Sequence, residues 1–148
     1  MTTTATNKVP RRMQRAATRP DPLFKHVREL HDFSSAVMTL AEFAPERMTL
    51  AQGVFFLLAA AADIAGRPAT FTTVKESAGP RVNRSLHTTY KVLLDEGRKR
   101  GDKREDGLGW LTREENKADQ REKYLRLTPK GREVVRELVV ALTGDENL

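Results

Sequence analysis

Every residue over positions 54–62 is apolar, and this run decides how the rest of the chain must be arranged. Thr49 is a good N-cap just ahead of it and Gly66 a good stop behind, so a helix is expected over about residues 49–65. Val54, Phe55, Phe56, Leu57, Leu58 and the alanines that follow leave that helix apolar almost all round. Such a helix has no face for water and belongs at the centre of a core. It falls short of the roughly 18 consecutive apolar residues that a bilayer crossing needs. The 148 residues leave room for one domain built around it. Its role is structural.

The flanking segments supply the cover. Ahead of it, Leu23, Val27, Leu30, Ser34, Val37, Ala41 and Ala44 recur at alternating steps of four and three, a seam on one face of a helix that Pro22 opens and Pro45 stops. This seam can pack on the chain's own core or on a second copy. Behind the central helix, a short helix over about residues 70–78 puts Phe71, Val74 and Ala78 on one face, with Thr70 or Thr73 as its cap. Gly79-Pro80 forces a turn, and Asn83 caps a helix reaching about Asp95 with Leu86, Thr89, Tyr90, Leu93 and Leu94 inward. Two short helices joined by a tight glycine-containing turn are a helix-turn-helix candidate.

Residues 96–106 are charged and contain Arg98, Lys99, Arg100, Lys103 and Arg104; they either lengthen the preceding helix or loop out at Gly97 and Gly101. Residues 109–112 and 124–127 read as two short strands around a polar tip over residues 113–123. Thr128-Pro129 opens a last helix, with Val134, Val135, Leu138, Val139 and Leu142 inward and Gly144 at its end. The expected fold class is mainly α with a small β-hairpin.

Five of the six net positive charges lie in the first 19 residues, as Lys8, Arg11, Arg12, Arg15 and Arg19 with no acid among them. Residues 1–21 hold too little apolar surface to offset the entropy of ordering them, and read as a flexible basic arm. That leaves 22–148 as the domain, with 22–44 as its expected dimerisation helix. The arm has no apolar stretch behind its basic residues, so it is not a secretory signal. With no membrane-spanning segment either, no membrane partner is expected, and the expected location is cytoplasmic, at the nucleoid.

The absence of cysteine excludes disulfides, thiolate metal sites and cysteine nucleophiles. His26 and His31 stand five apart, an awkward spacing for one helix face, and with His87 they form no metal set. Ser, His and Asp occur in no nucleophile-elbow setting, and no Gly-rich phosphate loop is present. Neither an enzyme nor a cofactor is expected.

The outer face of the helix after Asn83 shows Arg84, Ser85, His87, Thr88 and Lys91. Short polar and basic side chains of this kind reach base edges and phosphates in the major groove. The plain alternative is a solvated helix face.

The run Trp110-Leu111-Thr112-Arg113, then Asp119-Gln120-Arg121, then Leu125-Arg126-Leu127-Thr128-Pro129-Lys130-Gly131 resembles the wing of MarR-type winged-helix transcription regulators. In that family an Asp-x-Arg sits in the wing, and the next strand ends Leu-Thr-x-x-Gly at the start of a helix. Helix order and spacing agree more loosely over residues 23–142. The resemblance implies a winged helix-turn-helix, and with it a sequence-specific regulator that binds double-stranded DNA as a homodimer. Arg121 would enter the minor groove, where a narrow A·T-rich stretch attracts a guanidinium. Asp119 would hold Arg121 or brace the hairpin, while Arg113, Lys117 and Lys123 would meet phosphates and carry no base information. The arm would add affinity through counterion release, its alternative being a solubilising tail.

Two departures stand out. Residues 96–106 exceed the usual link between recognition helix and wing. The last helix is also soon followed by the end of the chain, which puts the dimer role on the seam of residues 23–44. Members of the family often bind small aromatic acids, but no residue here points to an effector. Other readings are a winged-helix protein-interaction module with the arm docking an acidic partner, or a DNA-binding protein for plasmid or phage replication or partition.

Overall fold

The computed structural model describes residues 19, 21–44, 48–82, 84, 86, 90–94, 98–100, 103–105 and 107–148, of which 98–100 and 103–105 are described as backbone. The basic arm up to residue 18 therefore lies outside the described residues, as do Ser85, His87, Thr88 and Thr89.

The described chain is mainly helical. A 3-10 turn over Pro22–His26 leads into α1, Val27–Phe43. Asp21 caps the turn, its Oδ1 accepting the Leu23 N–H at 2.8 Å. Ala44 leaves the helix with extended backbone, as a residue before proline must. Helix α2, Leu50–Ile64, opens with a full capping box. Thr49 Oγ1 accepts the Gln52 N–H at 3.2 Å, and Gln52 Oε1 accepts the Thr49 N–H at 2.8 Å. Helix α3 spans Phe71–Ala78, and Thr70 is its cap, accepting the Thr73 N–H at 3.2 Å.

The core forms around α2, as its all-round apolar character requires. Phe55, Phe56 and Ala59 are buried among Val74 of α3, Leu86, Tyr90, Leu93, Leu94, Trp110, Leu111, Leu125 and Val134. Aromatic rings tie the layers, with Phe56 against Trp110 at 4.9 Å between centroids and Phe71 against Tyr90 at 4.4 Å.

The segment after α3 closes in a 3-10 turn, Tyr90–Leu93. Helical backbone stops there, short of the expected Asp95, because Leu94 pairs with Leu111 in an isolated parallel bridge. Of the charged residues 96–106, those described, 98–100 and 103–105, are neither a helical extension nor a plain loop, and Gly97 and Gly101 lie outside the described residues. Arg98–Arg100 forms β1 and Lys103–Glu105 forms β2, an antiparallel pair. The main hairpin pairs β3, Leu111–Glu115, with β4, Lys123–Leu127, in the register Leu111↔Leu127 through Glu115↔Lys123. Its first strand starts two residues later than expected, since Gly109 turns the chain with φ 67°. The strands also run further toward the tip, which shortens to residues 116–122.

Helix α4, Pro129–Thr143, has Thr128 as cap and Pro129 in its first turn. Thr128 Oγ1 accepts the Gly131 N–H at 3.0 Å and itself donates to the Gly109 carbonyl. Gly131 lies directly on the Trp110 backbone, where an added Cβ would come within 2.0 Å of the Trp110 carbonyl oxygen. Val134 and Leu138 are buried as expected and Val135 and Val139 half-buried, but Leu142 in the last turn stays exposed.

Helix α1 packs on α4. Only Ala36 of α1 is fully buried, with Leu40 half-buried above Gly53. Of the expected seam, Leu23, Val27, Leu30, Ser34, Val37 and Ala41 are exposed, while Ala44 at its end is half-buried against this chain's own core. Among the described residues, no helix is long and apolar enough to cross a membrane.

Candidate nucleic-acid interface

The main hairpin is anchored at its base and shaped at its tip by different residues. At the base, Arg126 of β4 reaches Asp63 at the end of α2, Nε to Oδ1 at 2.8 Å, and Glu114 of β3 at 3.0 Å. The second oxygen of Asp63 accepts the Leu127 N–H at 2.8 Å. The Leu125 N–H donates to the Ala69 carbonyl at 2.9 Å, and Thr70 bridges to Tyr124, so the segment ahead of α3 lies along β4.

At the tip, Asn116 and Asp119 supply the hydrogen bonds. Asn116 Oδ1 accepts the Ala118 N–H at 3.0 Å while its Nδ2 donates to the Tyr124 hydroxyl at 3.1 Å. Asp119 Oδ1 accepts the backbone N–H of Arg121 at 3.0 Å. Of its two expected roles, Asp119 therefore braces the turn, and it leaves the Arg121 guanidinium unengaged. Lys117, Arg121 and Lys123 are exposed, and among the described residues none of them makes an ion pair.

This geometry gathers three of the expected phosphate and groove residues. Arg113, Arg121 and Lys123 line one open hollow of about 300 Å³, together with Thr70, Phe71 and Tyr90. One wall is thus the start of α3, another the tilted pair of Phe71 and Tyr90 rings, and the third the cationic surface of the hairpin. Glu122 also borders it, so the hollow is strongly but not purely basic. Lys91, exposed, follows Tyr90 on the same 3-10 turn.

Arg84 is exposed at a second hollow, of about 440 Å³, which it shares with Pro80 and Arg81. Arg81 escapes a reading that looks only at the face of the helix after Asn83. Its signal is its place directly after Gly79-Pro80, where a turn presents side chains outward. Ser85, His87 and Thr88 lie outside the described residues.

Two other cationic positions prove structural. Arg126 is spent on Asp63 and Glu114, and Arg136 on Glu133 and the Leu148 carbonyl. His26 lies 3.5 Å from Glu29, and among the described residues no three metal-ligating side chains cluster. Comparison of the chain with protein-family models, with curated proteins and with solved structures finds no match.

Proposed function

We propose that this chain is a sequence-specific double-stranded DNA-binding transcription regulator of MarR-like winged-helix type. In this reading the segment carrying Arg84, Ser85, His87, Thr88 and Lys91 enters the major groove, and the hairpin tip with Arg121 enters the minor groove. The observation that carries it is the convergence of Arg113, Arg121 and Lys123 on one hollow beside Tyr90 and the start of α3. A cationic concavity at the junction of hairpin and helix-turn-helix suits a phosphate backbone, which supplies most of the affinity in such complexes. The bracing of the tip by Asp119 and Asn116 supports it further, since a preformed hairpin costs less to order on binding.

The active unit in this reading is a homodimer joined through α1. Leu30 and Phe33 are 63% and 64% exposed, and Val27, Val37 and Met38 of the same helix and Leu23 and Phe24 of the 3-10 turn ahead of it are exposed too. Monomers rarely leave a continuous apolar surface of that extent in water. The surface runs into an apolar hollow of about 350 Å³ lined by Val37, Leu40, Ala41 and Leu50, which gives a partner's side chains somewhere to seat.

The decisive experiment is an anisotropy titration against the duplex upstream of the protein's own gene, beside a scrambled duplex, at several salt concentrations. Binding to its own site tighter by ~10³-fold or more at physiological salt establishes a specific regulator. Equal, steeply salt-dependent binding to both removes the assignment to that site. No binding to either at low salt overturns the reading in favour of a protein-interaction module.

A further inference from the structure

The chain has two tyrosines, and they are used differently. The half-buried Tyr124 accepts a hydrogen bond from Asn116 Nδ2 at 3.1 Å and so takes part in shaping the hairpin tip. Tyr90 is only 9% exposed, yet its hydroxyl makes no hydrogen bond with any described residue. Buried polar groups are nearly always paired, because an unpaired one forfeits its bonds to water and gains nothing in return.

Packing does not require that hydroxyl. The Tyr90 ring lies 5.7 Å from Phe55 and 4.4 Å from Phe71 between centroids, and a phenylalanine ring would make the same contacts. What the hydroxyl adds is a polar group held in place by the core, on a residue that lines the cationic hollow. Apart from Glu122, the charged side chains on that hollow are cations, Arg113 and Lys123 among them. Thr72, in the first turn of α3, lines it too; its side chain is exposed and bonds no described residue. The start of a helix favours negative charge, so this wall agrees in sign with the hairpin. A phosphate has oxygens enough to accept from a neutral hydroxyl and from cations at once.

We propose that the hollow seats one phosphate of the duplex backbone, with the Tyr90 hydroxyl donating to a phosphate oxygen while Arg113 and Lys123 supply the charge. Tyr90 is then a phosphate-binding residue as well as a core residue. It contributes affinity and no base discrimination, since phosphates carry no sequence. This rests on the DNA-binding reading above.

The test is Tyr90→Phe in the full-length chain, titrated with a labelled mixed-sequence duplex of about 30 base pairs between roughly 50 and 200 mM salt. A neutral donor displaces no counterion, so its loss should lower affinity by about the same factor, roughly tenfold, at every salt concentration and leave the log–log slope at the parent's value. Lys123→Gln should differ in kind, with a slope shallower by about 1. The melting temperature of Tyr90→Phe should equal the parent's or rise, since the free protein loses only an unpaired hydroxyl. A clear fall in melting temperature assigns the hydroxyl a structural role and overturns the proposal. Affinity equal to the parent's at every salt concentration also overturns it, while leaving DNA binding intact. If the parent chain binds no duplex at the lowest salt, both the DNA-binding reading and this proposal fall.

Discussion

Asp63 and Arg126 join the central helix to the second strand of the main hairpin, Oδ1 to Nε at 2.8 Å, with the carboxylate only 6% exposed and the guanidinium 43%. The other oxygen of Asp63 holds the Leu127 N–H, so one side chain fixes both the position and the backbone of β4. Removing it leaves the half-buried Leu127 N–H without its acceptor. Asp63→Ala is expected to cost about 2 kcal/mol, because the half-exposed Arg126 regains water and only part of the buried-pair penalty applies. Asp63→Asn keeps an acceptor for Leu127 and should cost about half as much or less. Urea unfolding of both variants measures the difference; equal costs would show that the Leu127 bond contributes nothing.

Gly131→Ala should be more damaging than its size suggests. The new methyl carbon would come within 2.0 Å of a backbone oxygen, which cannot rotate away as a side chain would. Overpacking of this kind costs about 3 kcal/mol or more, equivalent to a fall in Tm of roughly 6–12 °C for a chain of this size. A calorimetric Tm within a degree or two of the parent would contradict the close approach.

Arg121→Ala should weaken specific DNA binding by ~1–3 kcal/mol and leave the melting temperature alone, since among the described residues its guanidinium makes no ion pair. Asp119→Ala should also weaken binding, but through the loosened turn, so hydrogen exchange at residues 117–122 should rise in that variant and not in Arg121→Ala. Unchanged affinity for Arg121→Ala at matched salt would remove the minor-groove role.

Charge placed on the exposed face of α1 should dissociate the dimer without unfolding the protomer. Leu30→Glu and Phe33→Glu alter side chains that are already mostly in water, so the circular dichroism spectrum should be that of the parent. Sedimentation should then report a mass near 16.7 kDa for the variants and twice that for the parent. A parent that sediments as a monomer would overturn the dimer.

What could be read from the sequence follows from how local each determinant is. The alternating steps from Leu23 to Ala41 mark one helix face, but nothing in the spacing says whether a core or a partner covers it; the structure leaves it open. Thr49 and Thr128 were legible as caps, and Thr70 as one of two candidates beside Thr73, because an N-cap acts within three residues of itself. Asp63 was not legible, since a lone acid at the end of an apolar helix gains meaning only when Arg126, distant in sequence, arrives beside it. The hairpin of β1 and β2 was missed for a physical reason. Lys and Glu are depleted in strands, and no apolar alternation marks residues 98–105, so no strand preference is written there. For the candidate interface, residue types near Arg113 and Arg121 were readable, while their convergence with Tyr90 on one hollow required the fold.

The seating of Gly131 on Trp110 also has a mechanical side. With no side chain between them, and with Thr128 bonded across to Gly109, the start of α4 and the root of β3 meet backbone to backbone. A shift of α4, on which α1 lies, would therefore press directly on the root of β3, the strand that carries Arg113.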